Sequence, residues 1–125
     1  MPLAAHARLQ AAQSFIRDVR ASGEFMQRQD GATADARYEK LLSQLDEARQ
    51  LLRWNPGAGR PARFLQAQSF QGRALAERAR SQAEALGLPD LRELIIKPYV
   101  LLYAHGPDRV VLLALKHERQ LSFSL

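Results

Sequence analysis

Cysteine is absent from this 125-residue sequence, which excludes disulfide bonds and thiolate metal sites. The sequence also has no run of about 20 apolar residues of the kind that a membrane-spanning helix needs. No compact apolar core of a secretory signal appears in the first residues, MPLAAHARLQ. We therefore expect a cytoplasmic protein that is stabilised by packing alone and does not contact a membrane.

The common motifs of enzyme active sites are missing as well. The sequence contains no phosphate-binding glycine motif, no HExxH and no nucleophile elbow. The three histidines, His6, His105 and His117, are far apart and lack the spacing of metal ligands. We expect no metal ion and no cofactor.

The composition is that of one globular domain, with 46% apolar and 25% charged residues. We expect a single domain over residues 1–125. The net charge of +5 is concentrated between Arg49 and Arg80, where seven arginines and one glutamate give a net +6. Arginine suits phosphate and carboxylate partners, so this segment is either a surface for an anionic partner or an ordinary solvated helix face.

Residues 8–87 are predicted to be helical. Leu9, Ala12, Ile16 and Val19 have helical spacing, and the loop QDGATADA is expected to end in an N-cap at Thr33 or Asp35. A second helix then runs to Trp54, which we expect to pack onto the core. A third helix is predicted over 64–87, with Gly87 as its C-terminal cap.

Residues 91–125 have the pattern of strands. The runs 91–96, 99–104 and 109–115 are short, apolar and β-compatible, and HGPD joins the last two as an antiparallel hairpin. Their consecutive apolar residues require both faces of the central strands to be covered. QLSFSL alternates and is either an edge strand or a tail on an apolar groove. The order predicts an α+β fold with the helices on one face of the sheet and a site on the other face or its rim.

Four polar residues, Lys116, His117, Glu118 and Arg119, follow the last apolar run. A histidine beside an arginine can transfer a proton and stabilise a phosphate. The same residues also fit the polar exit of a buried strand, and the sequence leaves both interpretations open.

The segment LRELIIKPYVLLYAHGPDRVVLLALKHERQ, preceded by a helix that ends in NPGAGRPAR, resembles toxins of the RelE/ParE superfamily from bacterial type II toxin-antitoxin modules. The resemblance implies N-terminal helices packed on a small antiparallel sheet, with the helix 64–87 as an insertion. It also implies an antitoxin partner and growth inhibition by the free toxin. The target is either DNA gyrase or mRNA on the ribosome. A homodimer and a toxin-antitoxin hetero-oligomer both stay open.

For a metal-independent endoribonuclease, the resemblance assigns His117 as general acid or base and Arg92, Lys116 and Arg119 as phosphate-binding groups. Val100 stands where an arginine is expected, and Phe123 stands where several members have a catalytic tyrosine. The second interpretation is therefore an inactive protein of the same fold that binds an antitoxin and regulates its operon. A third, a basic nucleic-acid binder, lacks interleaved aromatic residues and a helix-turn-helix.

Overall fold

A computed structural model describes residues 6–125 of the chain. Three helices and a five-stranded mixed sheet confirm the α+β class. None of the helices within this range is long and apolar enough to cross a membrane. The elements are β1 (Arg8–Ala11), α1 (Gln13–Gln29), α2 (Gly31–Trp54), β2 (Arg60–Pro61), α3 (Phe70–Leu86), β3 (Asp90–Ile96), β4 (Tyr99–His105) and β5 (Arg109–His117). The strand order in the sheet is β1-β5-β4-β3-β2.

The N-terminal residues form a strand where the sequence predicts the start of a helix. Strand β1 pairs in parallel with β5, with Leu9 opposite Val110, and the Ala12 amide donates to the Leu112 carbonyl at 2.8 Å. The predicted helical segment 8–87 is therefore interrupted by β1 and by the short strand β2. Extended backbone is favoured here because β5 supplies the hydrogen bonds, which local spacing cannot indicate.

Two helix boundaries also differ from the prediction. Helix α2 begins after Asp30, whose carboxylate accepts from the Ala32 amide at 3.1 Å, so neither Thr33 nor Asp35 is the N-cap. Helix α3 begins after Ser69, because residues 63–66 form a separate 3₁₀ turn. Its end is as predicted: Gly87 has φ of +71°, a left-handed conformation that favours glycine.

Both faces of the sheet are covered, so the expectation of helices on one face only is wrong. On β4, Leu101 and Tyr103 face α1 and α2. Val100, Leu102 and Ala104 face the opposite side, where α3 buries its own apolar residues against them. The consecutive apolar residues of β4 do correspond to a strand that is buried on both faces.

The outer edge of β5 is protected beyond the end of β1. The Ser14 hydroxyl donates to the Leu113 carbonyl, and the Asp18 carboxylate accepts from the Leu115 amide at 2.9 Å. Side chains of α1 thus satisfy backbone groups that a strand would otherwise bind. Burial is the main cause that raises the pKa of Asp18, against the lowering effects of this hydrogen bond and of Arg17.

The last residues form no strand and lie as a tail on the α3 side of the sheet. Phe123 is 4% exposed, and its ring centre is 5.6 Å from that of Phe64. Trp54, which we expected in the core, is 68% exposed and contacts the His6 ring at a centroid distance of 4.0 Å. Because Trp54 is the last residue of α2, it lies beyond the contacts that bury the rest of that helix.

Candidate functional site

The four residues proposed from the sequence do not meet at one place. Arg92 pairs with Tyr103, whereas His117 pairs with Tyr99. The two partner residues are four positions apart along β4. With strand geometry this separates them by about 13 Å along the strands and about 10 Å across them. Arg92 and His117 therefore do not share one rim of the sheet, as one ribonuclease site would require.

Arg92 makes only internal contacts. Its Nη1 donates to the Gly59 carbonyl at 2.8 Å, and its Nε lies 3.2 Å from His105 Nε2 and 3.5 Å from an Asp90 carboxylate oxygen. The same Asp90 carboxylate lies 3.0 Å from His105 Nε2. These contacts occupy the guanidinium group of Arg92 and connect the NPGAGR segment to β3.

The same segment is fastened by a buried tyrosine. The Tyr103 hydroxyl accepts from the Gly59 amide at 2.9 Å and donates to the Pro56 carbonyl at 2.7 Å. Burial is the main cause that raises the pKa of Tyr103. A Cβ atom on Gly59 would lie 2.5 Å from the Glu93 carbonyl oxygen and 2.8 Å from the tyrosine hydroxyl. We call the set Gly59, Asp90, Arg92, Tyr103 and His105 the polar clamp.

Sequence reasoning missed the Asp90 and His105 contact in the polar clamp. These two residues are direct partners in the β3-β4 pairing. A hairpin register centred on Lys97-Pro98 would have placed them opposite each other, because cross-strand pairs follow from the register.

Lys116 lies on the α3 side of the sheet, opposite Val100. Its ammonium donates to the Gln120 carbonyl at 3.1 Å and is 5.5 Å from the centre of the Phe123 ring. Val100 and Phe123 are both buried in the hydrophobic cluster beneath α3. The two positions that depart from the ribonuclease pattern are thus core positions.

His117 lies on the opposite face from Lys116, with its ring edge against Tyr99 at 5.5 Å between centroids. Its Nδ1 accepts from the Arg119 backbone amide at 3.1 Å, so the neutral ring carries its proton on Nε2. The His117 amide donates to Gln120 Oε1 at 2.8 Å. The strand end is thereby held in a defined turn, and His117 and Arg119 stay together.

His117 and Arg119 line a groove of about 810 Å³ between α1, the start of α2, the ends of β4 and β5, and the C-terminal tail. We call it the rim groove. Burial raises the pKa of Tyr99 at its floor, and nearby Arg37 acts in the opposite direction. The other charged lining residues are Arg17, Asp18, Arg28 and Glu118.

Three guanidinium groups in the rim groove are available for an anion. Within residues 6–125, the side chains of Arg28, Arg37 and Arg119 have no hydrogen-bond or ion-pair partner, whereas Arg17 donates to the Ser124 carbonyl at 3.0 Å. Arg28 and Arg37 were not proposed from the sequence. Their signal was their position directly before and directly after QDGATADA, at the tip of the α1-α2 hairpin. Over the same range, no group of three His, Asp or Glu residues is arranged for a metal ion.

The family follows from a comparison with known proteins. A family model for the ParE toxin of the type II toxin-antitoxin system parDE matches residues 9–122. The chain belongs to the ParE toxin family. This confirms the resemblance to the RelE/ParE superfamily that the C-terminal strands indicate.

A solved structure also shares the ParE-like fold. The chain aligns with a protein of the chromosomal ParDE toxin-antitoxin system from P. aeruginosa with a TM-score of 0.58. The two are 16% identical, and the alignment covers 90% of this chain and 96% of the other. At this identity the match supports the fold alone. No curated protein matches the chain.

Proposed function

We propose that this ParE-family protein is the toxin of a type II toxin-antitoxin pair and that it inhibits growth by blocking DNA gyrase when it is free of its antitoxin. Membership of the ParE toxin family over residues 9–122 is the observation that carries the proposal. Gyrase is favoured over mRNA because the groups that a ribonuclease needs are dispersed over the sheet.

Cleavage of RNA without a metal requires a proton-transfer group and phosphate-binding groups within reach of one phosphate. Arg92 is held in the polar clamp, and Lys116 is on the opposite face from His117. Phe123 has no hydroxyl and is buried. Only His117 and Arg119 stay together, which is too few groups for the expected mechanism.

Inhibition of gyrase requires a binding surface and no assembled catalytic site. The rim groove and the exposed arginines of residues 49–80 offer positively charged surface for such contacts. The same surfaces are open to neutralisation by an antitoxin. Gyrase inhibition therefore does not depend on the ribonuclease groups that the fold keeps apart.

The test is to express the gene in a bacterial host without its neighbouring genes and to assay the purified protein on gyrase and on translated mRNA. We expect growth arrest, loss of DNA supercoiling by purified gyrase and intact mRNA. Cleavage of mRNA with normal gyrase activity would support the ribonuclease. Normal growth at good expression would support the inactive, operon-regulating alternative.

A variant of His117 separates the two toxin mechanisms further. His117→Ala removes the only histidine in the rim groove and is expected to keep most of the growth arrest, because gyrase inhibition needs no proton transfer. A ribonuclease that relied on His117 would lose at least about 100-fold in cleavage rate. Correct folding of the variant would be checked by thermal unfolding.

A further inference from the structure

We propose that two copies of this chain pair through the exposed face of α2, with the two helices antiparallel about a two-fold axis near residue 44. The proposal goes beyond the inhibition of gyrase and does not use the rim groove. It concerns a surface for a second copy of the same chain, and it stands whether or not the free protein arrests growth.

One stripe of exposed residues runs along α2 from its second turn to its last turn. Its members are spaced alternately by four and three positions, which places them on one side of a helix. They are Asp35, Glu39, Leu42, Asp46, Arg49 and Arg53, and all six are exposed. We call this set the α2 stripe. Leu41 and Leu45 of the same helix lie in the core, so the stripe is the side of α2 that is open to a partner.

The charges on the α2 stripe are separated along the helix. Asp35 and Glu39 lie near its start, and Arg49 and Arg53 lie near its end. Within residues 6–125, none of these four side chains forms an ion pair. Like charges four residues apart on a helix repel each other and destabilise it. An oppositely charged partner at each end would relieve this repulsion.

The order of the charges is self-complementary when two copies of α2 run antiparallel. Asp35 and Arg53 lie nine positions on either side of residue 44, and Glu39 and Arg49 lie five positions on either side. A two-fold axis at residue 44 therefore sets Asp35 opposite Arg53 of the second copy, and Glu39 opposite Arg49 of the second copy. Each pair forms twice by symmetry, as in any isologous interface. Such pairs fix the register and the orientation of the two chains.

Apolar surface lies at the centre of the proposed contact. Leu42 is 42% exposed, and a groove of about 430 Å³ opens beside it between α1 and α2. Ile16, Val19 and Leu45 contribute apolar surface to this groove. The axis places Leu42 of the second copy opposite Asp46, which lines the same groove, so the leucine can enter it. Its removal from water would add hydrophobic attraction to the charge pairs.

A second copy fits the α2 stripe better than a nucleic acid or a peptide of one charge. Three acidic residues and two arginines give the stripe a formal net charge of −1. A partner of uniform sign would be attracted at one end of the stripe and repelled at the other. Two antiparallel copies meet opposite charges at both ends.

The area of this face is enough for a weak dimer. Eighteen residues separate the first and last members of the stripe, which corresponds to about 27 Å of helix. With α1 packed alongside, the face is about 20 Å wide, so two copies would bury on the order of 1,000 Å² in total. This is the lower limit for a specific interface. We therefore expect weak association that salt reduces by screening the charge pairs.

The test is sedimentation equilibrium of the purified full chain in low salt and in high salt. Two charge-reversal variants are compared with the wild type, Asp35→Arg/Glu39→Arg and Arg49→Glu/Arg53→Glu. We expect the wild type to dimerise in low salt and to associate at least tenfold more weakly in high salt. Each variant alone should be monomeric, because like charges then face each other at both ends. An equimolar mixture of the two variants should form a heterodimer, because every reversed charge then faces an opposite one.

Glu47→Arg/Glu84→Arg is the control, because both residues are exposed outside the α2 stripe and the net charge changes as in Asp35→Arg/Glu39→Arg. Its association should stay within about threefold of the wild type. Four results would overturn the proposal: a monomeric wild type in low salt, a charge-reversal variant that dimerises as tightly as the wild type, a mixture that stays monomeric, or an equal loss of association in the control.

Thermal unfolding shows whether each variant is folded, and the salt dependence of the wild type tests the proposal without any variant. Because association is measured on the purified chain, a failure of the growth-arrest test would leave this result unchanged.

Discussion

At the β2 end of the sheet the polar side chains bind one another, whereas in the rim groove three arginines face solvent. Arg92 and Arg119 show the difference: Arg92 donates to the Gly59 carbonyl at 2.8 Å, and the guanidinium group of Arg119 has no partner within residues 6–125. Groups that are satisfied inside the fold contribute to stability. Groups that line a groove without partners are free to bind another molecule, so changes in the two regions should have different effects.

The largest expected effect is at the glycine of the polar clamp. Gly59→Ala places a Cβ atom against the Glu93 carbonyl and the Tyr103 hydroxyl, at 2.5 Å and 2.8 Å. We expect the free energy of unfolding to fall by about 3 kcal/mol, because backbone must shift to relieve the overlap. Urea unfolding would measure it. Gly57→Ala is the matched control, since its nearest atom would be 4.0 Å away.

The two tyrosines of β4 compare the regions directly. Tyr103→Phe removes a hydroxyl that binds both the Gly59 amide and the Pro56 carbonyl and should cost about 2 kcal/mol of stability. Tyr99→Phe removes a hydroxyl that has no hydrogen-bond partner within residues 6–125 and should change stability by less than about 0.5 kcal/mol. Thermal unfolding of both variants under one condition is the measurement. Similar losses of stability in the two variants would contradict the distinction between the polar clamp and the rim groove.

The two arginines repeat the comparison with charged groups. Arg92→Gln loses the hydrogen bond to Gly59 and the contact with Asp90, for an expected loss of about 1.5 kcal/mol. Arg119→Gln should leave the unfolding midpoint in urea nearly unchanged, because its guanidinium group has no partner within residues 6–125. A stability loss at Arg119 as large as that at Arg92 would show that the rim groove is also held together by its charges.

The smallest effect is a pH dependence from Asp18 in the wall of the rim groove. Burial raises its pKa above 3.8, so just above this pH the folded protein retains a proton that the unfolded chain releases. Stability should therefore fall as pH rises through that window and stay level above it. Asp18→Asn keeps an oxygen for the Leu115 amide and cannot ionise, so its unfolding free energy should lack this fall.

The measurement for Asp18 is the unfolding free energy of wild type and variant between pH 3 and pH 7. The variant is expected to be as stable as the wild type at pH 7 or more stable by up to about 1 kcal/mol. Asp18→Ala is the control: its curve should lack the same fall, and because it also loses the acceptor for the Leu115 amide it should lie about 1 to 2 kcal/mol below the Asp18→Asn curve at every pH. A variant curve parallel to that of the wild type would contradict the assignment.

The C-terminal strands are the part of the fold that the sequence predicts best. Runs 91–96, 99–104 and 109–115 lie within β3, β4 and β5, because consecutive apolar residues next to Gly and Pro turns allow few other structures. The helix boundaries were harder to predict from the sequence. QDGATADA offers Asp30, Thr33 and Asp35 as competing N-caps, and the choice depends on where α1 ends.

Only part of the candidate site could be predicted from the sequence. His117 and Arg119 stand beside each other at the end of an apolar run, so local reading finds them. Arg28 and Arg37 belong to two helices, and their approach to His117 depends on how the α1-α2 hairpin crosses the sheet. The position of Arg92 follows from the β3-β4 register, which makes Tyr103 its partner, and neighbouring residues alone do not show that register.

The sequence by itself determined the α+β class, the β4-β5 hairpin, the glycine that ends α3 and the resemblance to its toxin family, since each depends on neighbouring residues. The tertiary structure decided that residues 8–11 are a strand, that α3 covers the second face of the sheet and that Arg92 and His117 lie apart. These features depend on pairing between residues as much as 101 positions apart, such as Arg8 with Arg109. Local propensity does not encode such pairing.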